Sequence, residues 1–77
     1  MVKFINNWMF ASHIWNDAPL TPTVINMHEI SHIEEMQDIN LGIYVMVFLK
    51  DGNGIPIDGN IVEIFAEFQK YLQTINV

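Results

Sequence analysis

"GIYVMVFLKDGNGIPID", residues 42–58, decides the fold. Ile43, Val45, Val47 and Leu49 share one parity; Tyr44, Met46 and Phe48 share the other. Successive side chains of a strand point to opposite faces, so this strand is apolar on both. Such a strand is central and needs cover on each side. Asp51-Gly52 and Asn53-Gly54 follow it, the strongest short-range hairpin signal, because these residues accept the positive φ of tight turns. "IPID" then returns as a short strand. Pro56 has no N–H for a ladder, which predicts an edge strand or the end of one.

The next segment, "NIVEIFAEFQKYLQTI" at 60–75, is a helix. Asn60 is a good N-cap, and Glu63 three residues on completes a capping-box pattern. Ile61, Ile64, Phe65, Phe68, Leu72 and Ile75 recur at three and four residues and predict one apolar stripe. Glu67 and Lys70 lie off it, spaced to pair. The helix supplies cover for one face of the sheet. A partner chain is expected over the other.

Upstream the pattern is looser. "KFINNWMFA" at 3–11 alternates with Phe4, Trp8 and Phe10 on one parity and reads as a strand. "HIWNDAPLTPT" at 13–23, with two prolines, reads as a long loop. "TVIN" and "EISHIEEM" read as strand, turn, strand. The expected fold is a single α+β domain: a small antiparallel sheet of three to five strands with one long C-terminal helix packed on a face.

"VINMHEISHIEEM", residues 24–36, holds His28-Glu29-Ile30-Ser31-His32, the H-E-x-x-H string of zinc metalloproteases. That chemistry needs both histidines on one face of a helix, with the glutamate as general base. On a helical wheel Val24, Ile25, Met27, Ile30, Ile33 and Met36 surround the axis and leave no polar side. Thr23, Val24 and Ile25 are a β-branched run that favours a strand. In an extended chain residues four apart stand ~13 Å apart. Two such histidines cannot share one zinc at ~2.1 Å per bond. Ile30 and Ile33 point instead to a turn leading into a strand. No catalytic residue, cofactor or metal site is expected, with His28 and His32 the weak metal candidates and these or His13 the places for an incidental ion.

The order of elements over residues 24–72 resembles the small FlbD-type flagellar proteins, which run strand, turn, "I-x-x-I-E-E", strand, glycine hairpin, short strand, helix. The matching positions are Ile25, Asn26, Ile30, Ile33, Glu34, Glu35, Gly52 and the apolar positions of the helix. The resemblance implies that fold outline and puts the histidine string on a turn into a strand.

Composition narrows the function. A 77-residue chain is one domain, and a domain this small buries only about 60% of its unfolded surface. Hydrophobic residues make up 51% of the chain, more than a small sphere can hide. Large apolar side chains are therefore expected at an interface, and the chain is expected to be homo-oligomeric. Cysteine is absent, which excludes disulfides and thiolate metal sites. A net charge of −6 with three Lys and no Arg excludes binding to a nucleic-acid backbone. The start lacks the apolar core of a signal peptide, and "LGIYVMVFL" is far short of the ~20 residues that span a bilayer. The expected location is cytoplasmic.

The interface candidates are Trp8, Phe10, His13 and Trp15, with Tyr44 and Phe48 on the uncovered face of the central strand. No nucleophile elbow or phosphate loop is present. The leading reading is a small acidic non-enzymatic binding protein, an adaptor or stoichiometric inhibitor of the phage or mobile-element type, with an unknown protein partner. The second is an oligomer that binds a small nucleotide or metabolite. The third is a zinc-dependent hydrolase at His28, Glu29 and His32.

Overall fold

The computed structural model describes residues 2–15 and 18–75. Six strands form one antiparallel sheet: β1 (Lys3–Ile5), β2 (Trp8–Trp15), β3 (Ala18–Asn26), β4 (Ile30–Asp38), β5 (Gly42–Leu49) and β6 (Gly54–Asp58). One helix follows, α1 (Ile61–Ile75). The fold is α+β. Across the sheet β2 meets β3 on one side, and β1 and then β6 on the other. β5 lies beyond β6, and β4 closes that edge.

α1 packs on one face. Met9, Ala11, Ile25, Val45, Val47 and Ile57 meet Ile64, Phe68 and Tyr71 there, and all are buried. The register explains why these residues share a side, since Met9 faces Ile25 and Val45 faces Ile57 across their ladders. Burying a side chain of Val47 or Ile57 size contributes about 1.5–3 kcal/mol. Asn60 caps the helix as its sequence predicts: its Oδ1 accepts from the amides of Val62 and Glu63 at 2.9 and 3.2 Å. Gly59 leaves room for two side-chain tips, because a Cβ there would stand 2.8 Å from Ile64 Cδ1 and 3.1 Å from Val2 Cγ2.

Four local expectations are corrected. Residues 3–11 form a hairpin and not one strand. Asn6 takes a positive φ of 54°, which asparagine tolerates, and the chain reverses at Asn6-Asn7. That reversal puts Phe4 opposite Met9 on the helix side and leaves Trp8 and Phe10 on the other. The predicted loop at 13–23 is largely strand, shared between β2 and β3. β3 pairs only with β2, and an edge strand accommodates Pro19 and Pro22 because one row of its backbone groups needs no partner.

β6 is interior and not an edge. Its ladder to β2 covers only Ser12↔Asp58 and His13↔Ile57 and stops before Pro56. The proline thus ends a ladder without ending the sheet. The helix stripe is also rotated from the expected one. Ile64, Phe68 and Tyr71 are buried, whereas Phe65 and Leu72 are exposed. The apolar periodicity admits either line, and the position of the sheet selects the one through Tyr71.

Candidate functional site

β3 leads into a 3-10 turn, Met27–Glu29, and β4 begins at Ile30. The histidine string is therefore a turn followed by a strand. Asn26 makes the turn, its Oδ1 accepting from the His28 amide at 3.0 Å. The same oxygen accepts from the Asn7 side-chain amide at 3.0 Å, and the Asn7 carbonyl accepts from the Met27 amide at 2.7 Å. The Asn6-Asn7 turn and the 3-10 turn are thus locked together. Met27 and Ile30 drop into the core from either side of His28 and Glu29, which stay exposed.

The two histidines serve different elements. His28 Nδ1 contacts the Tyr71 hydroxyl of α1, with the rings edge-on at 5.2 Å. Burial pushes the Tyr71 phenol above its ordinary pKa. His32 belongs to β4 and stacks on Phe48 of β5, its cross-strand partner, with centroids 4.5 Å apart and planes 11° apart. Its Nε2 lies 3.5 Å from Glu34 Oε1. Among the described residues no three His, Cys, Asp or Glu side chains group as a metal site would require.

The face of the sheet away from α1 has no layer over it among the described residues. Cross-strand partners share a face, so its composition follows from the register. Ile5, Trp8 and Asn26 form one row. Lys3, Phe10 and Val24 form the next. Pro22, Ser12 and Asp58 form a third. Leu20 continues along β3 with the parity of Pro22 and Val24. Trp8 keeps 41% of its surface exposed and Phe10 39%, while Ile5, Leu20 and Val24 are each more than half exposed. This is a contiguous apolar surface in which, among the described residues, Lys3 stands in the row of Phe10 and Asp58 marks the border beside Ser12.

The same face continues over β5 and β4 as Met46 beside Glu34, Phe48 beside His32, and Tyr44 beside Met36. There the character changes. Tyr44 is buried, Met46 and Phe48 are half-buried, and Glu34, Asp38 and Asp58 bring negative charge. The face is graded, from exposed and apolar at β1–β2–β3 to more acidic at β4–β5, where Met46 and Phe48 are half-buried and Glu34 stays exposed.

The sequence-predicted interface residues are divided by this arrangement. Trp8, Phe10, Tyr44 and Phe48 lie on one face, in two groups at opposite ends. His13 lies on the other parity, paired with Ile57 and half-buried. The side chain of Trp15 lies outside the described residues. Ile5, Leu20 and Val24 were not singled out from the sequence. Ile5 is placed beside Trp8 by the hairpin at Asn6-Asn7, Val24 beside Phe10 by the β2–β3 ladder, and Leu20 follows Val24 on the same parity of β3.

Among the described residues, three hollows have volumes of about 330 to 470 Å3, and none of these three is lined by Trp8 or Phe10. One, bounded by His13, Ile14, Asp38, Leu41, Tyr44 and Pro56, opens where β2 leaves β6. The exposed aromatics Trp8 and Phe10 stand outside all three. Among the described residues no helix is long and apolar enough to cross a membrane. Comparison of the chain with protein families, with characterised proteins and with solved structures finds no match.

Proposed function

We propose that this chain is a small acidic binding protein that acts by protein–protein contact, as an adaptor or stoichiometric inhibitor, in a homo-oligomer. Its contact surface is the open sheet face at β1–β2–β3. One observation carries the reading: Ile5, Trp8, Phe10, Leu20 and Val24 stand exposed and contiguous on a face that α1 leaves uncovered. Aromatic side chains at the centre of such a surface are favoured anchors for a protein partner. The grading of charge fits a partner with an apolar patch bordered by basic residues, which would meet Asp58 and Glu34. The reading places the protein in the cytoplasm and fits the compact inhibitors that phages and mobile elements encode.

The test is a comparison of partners. Tagged wild type and a Trp8→Gln/Phe10→Gln variant are exposed to lysate of the native host, and captured proteins are identified by mass spectrometry. A partner bound stoichiometrically by wild type is lost by the variant and retained by Lys50→Gln, which lies outside the surface. Equal capture by the double variant sinks the proposal.

A further inference from the structure

The helix carries a second apolar line, turned away from the sheet. Val62 is 73% exposed, Phe65 51% and Leu72 36%. Val62, Phe65, Gln69 and Leu72 recur at three, four and three residues, the spacing of a coiled-coil seam. Ala66 and Gln73 lie beside them and are also exposed. On a helical wheel these six fill an arc of roughly 120° that contains no charge. Glu63 and Lys70 border the arc on one flank. On the opposite flank the helix turns into the core through Phe68 and Ile64.

We propose that this outer face of α1 is the self-association surface of the protein, packing antiparallel against α1 of a second copy. A two-fold interface must be complementary to itself. Reversed about its middle, the line sets Val62 opposite Leu72 of the second copy and Phe65 opposite Gln69. Ala66 falls near the crossing point, and a small residue there brings the helix axes close. The same reversal sets Glu63 of each copy near Lys70 of the other. Lys70 reaches Glu67 of its own helix at 3.2 Å and stays largely exposed, so it is available on this flank. A parallel two-fold pair would turn the flank of Glu63 and Lys70 toward the opposite, apolar flank of the other copy, at Ile61 and Phe68, and form no such ion pair. Charge thus selects the antiparallel copy, in a chain whose net charge of −6 otherwise opposes self-association.

The pairing has a structural consequence. α1 covers one face of its sheet, so two copies joined through α1 carry their open sheet faces outward. The dimer is then bivalent for the partner of the proposed function. Only that bivalence rests on the proposed function; the helix pairing does not.

Sedimentation velocity over a concentration series on the full chain tests the pairing. Wild type sediments as a dimer. Phe65→Glu sediments as a monomer with an unchanged far-UV circular dichroism spectrum. Lys70→Glu raises the dimer dissociation constant about fivefold, because two exposed ion pairs become two like-charge contacts, and adding Glu63→Lys restores it. The natural chain has no cysteine. Under mild oxidation Val62→Cys/Leu72→Cys therefore forms a covalent dimer. Each single variant does not, because identical positions stand about 15 Å apart along an antiparallel pair. Trp8→Gln/Phe10→Gln leaves the dimer intact, which separates this test from that of the sheet face. A wild-type monomer at every concentration overturns the proposal. So does a dimer that survives Phe65→Glu, or cross-linking of either single cysteine variant.

Discussion

On one side of β5, Val45 and Val47 are shut away from water. On the other, Met46 and Phe48, each one residue along, are only half covered. The contrast is sharper on β2, where buried Met9 and Ala11 alternate with exposed Trp8 and Phe10. The two faces have similar side chains and very different surroundings. A single 15-residue helix makes the difference. It is roughly 22 Å long at 1.5 Å per residue and covers part of one face. Hydrophobicity sets which residues can be buried, and the supply of covering elements sets which ones are. Among the described residues α1 is the one covering helix, and the other face of the sheet is left open.

The largest expected effect breaks the covered face. Ile57 is fully buried between β2 and β5, beneath α1. Ile57→Ala removes apolar contacts and leaves a cavity, costing about 2–5 kcal/mol. A domain of this size holds roughly 4–12 kcal/mol in total, so the variant is close to unfolding. Urea denaturation gives the figure from the shift of the midpoint. A loss below about 1 kcal/mol would mean that the core is loose and that the contrast between faces is small.

A smaller effect sharpens the same contrast at the rim of the covered face. Tyr71 closes the core beneath the 3-10 turn, and its hydroxyl meets His28. Burial raises its pKa above the ordinary 10.0, so folding favours the neutral phenol. Above that value the unfolded chain loses its proton first. The stability tied to the neutral phenol is therefore complete below about pH 10 and falls as pH rises through the folded pKa. Tyr71→Phe removes the hydroxyl and is less stable than wild type at about pH 9, where both are neutral. Wild type's margin over the variant narrows above about pH 10, and urea midpoints at about pH 9 and pH 11 measure it. A margin that is constant or widens with pH would contradict burial of the phenol.

The same two faces show what was legible in the sequence. The glycine hairpin, the central strand and the capped helix are local patterns, and each is present in the fold. The reading of residues 24–36 as turn and strand also follows from local pattern, since Ile30 and Ile33 enter the core while His28 and Glu29 stay outside. Pairing is not local. Asn6-Asn7 signals a turn only once Phe4 is seen opposite Met9, and without that turn Phe4 appears to share a face with Trp8. Pro19 and Pro22 read as loop because a proline's tolerance for a strand depends on whether the strand is an edge. Phe65 is the more apolar ring, yet Tyr71 takes the core because it faces the 3-10 turn, where its hydroxyl meets His28. The apolar surface was legible in composition as an excess, and Trp8 and Phe10 lie on it, exposed. Its outline through Ile5, Leu20 and Val24 required the register.

The smallest expected effect on stability belongs to the open face, and it is the most informative about function. Phe10 and Trp8 already keep large parts of their surfaces in water, so truncating them opens no enclosed cavity. Gln at both positions retains the chain length to cover Ile5 and Val24. Folding therefore loses only the partial burial of the two rings, on the order of 1 kcal/mol each. The reduction in apolar surface available to a partner is nearly complete. Urea denaturation of Trp8→Gln/Phe10→Gln should show a midpoint much closer to wild type than that of Ile57→Ala, while binding of a hydrophobic dye to the native protein falls. Loss of both stability and dye binding to the extent seen with Ile57→Ala would mean that these side chains are core, and the difference between the faces would disappear. Near-native stability with dye binding abolished identifies residues whose burial the fold does not require, and selection for folding alone gives no reason to place a tryptophan and a phenylalanine there.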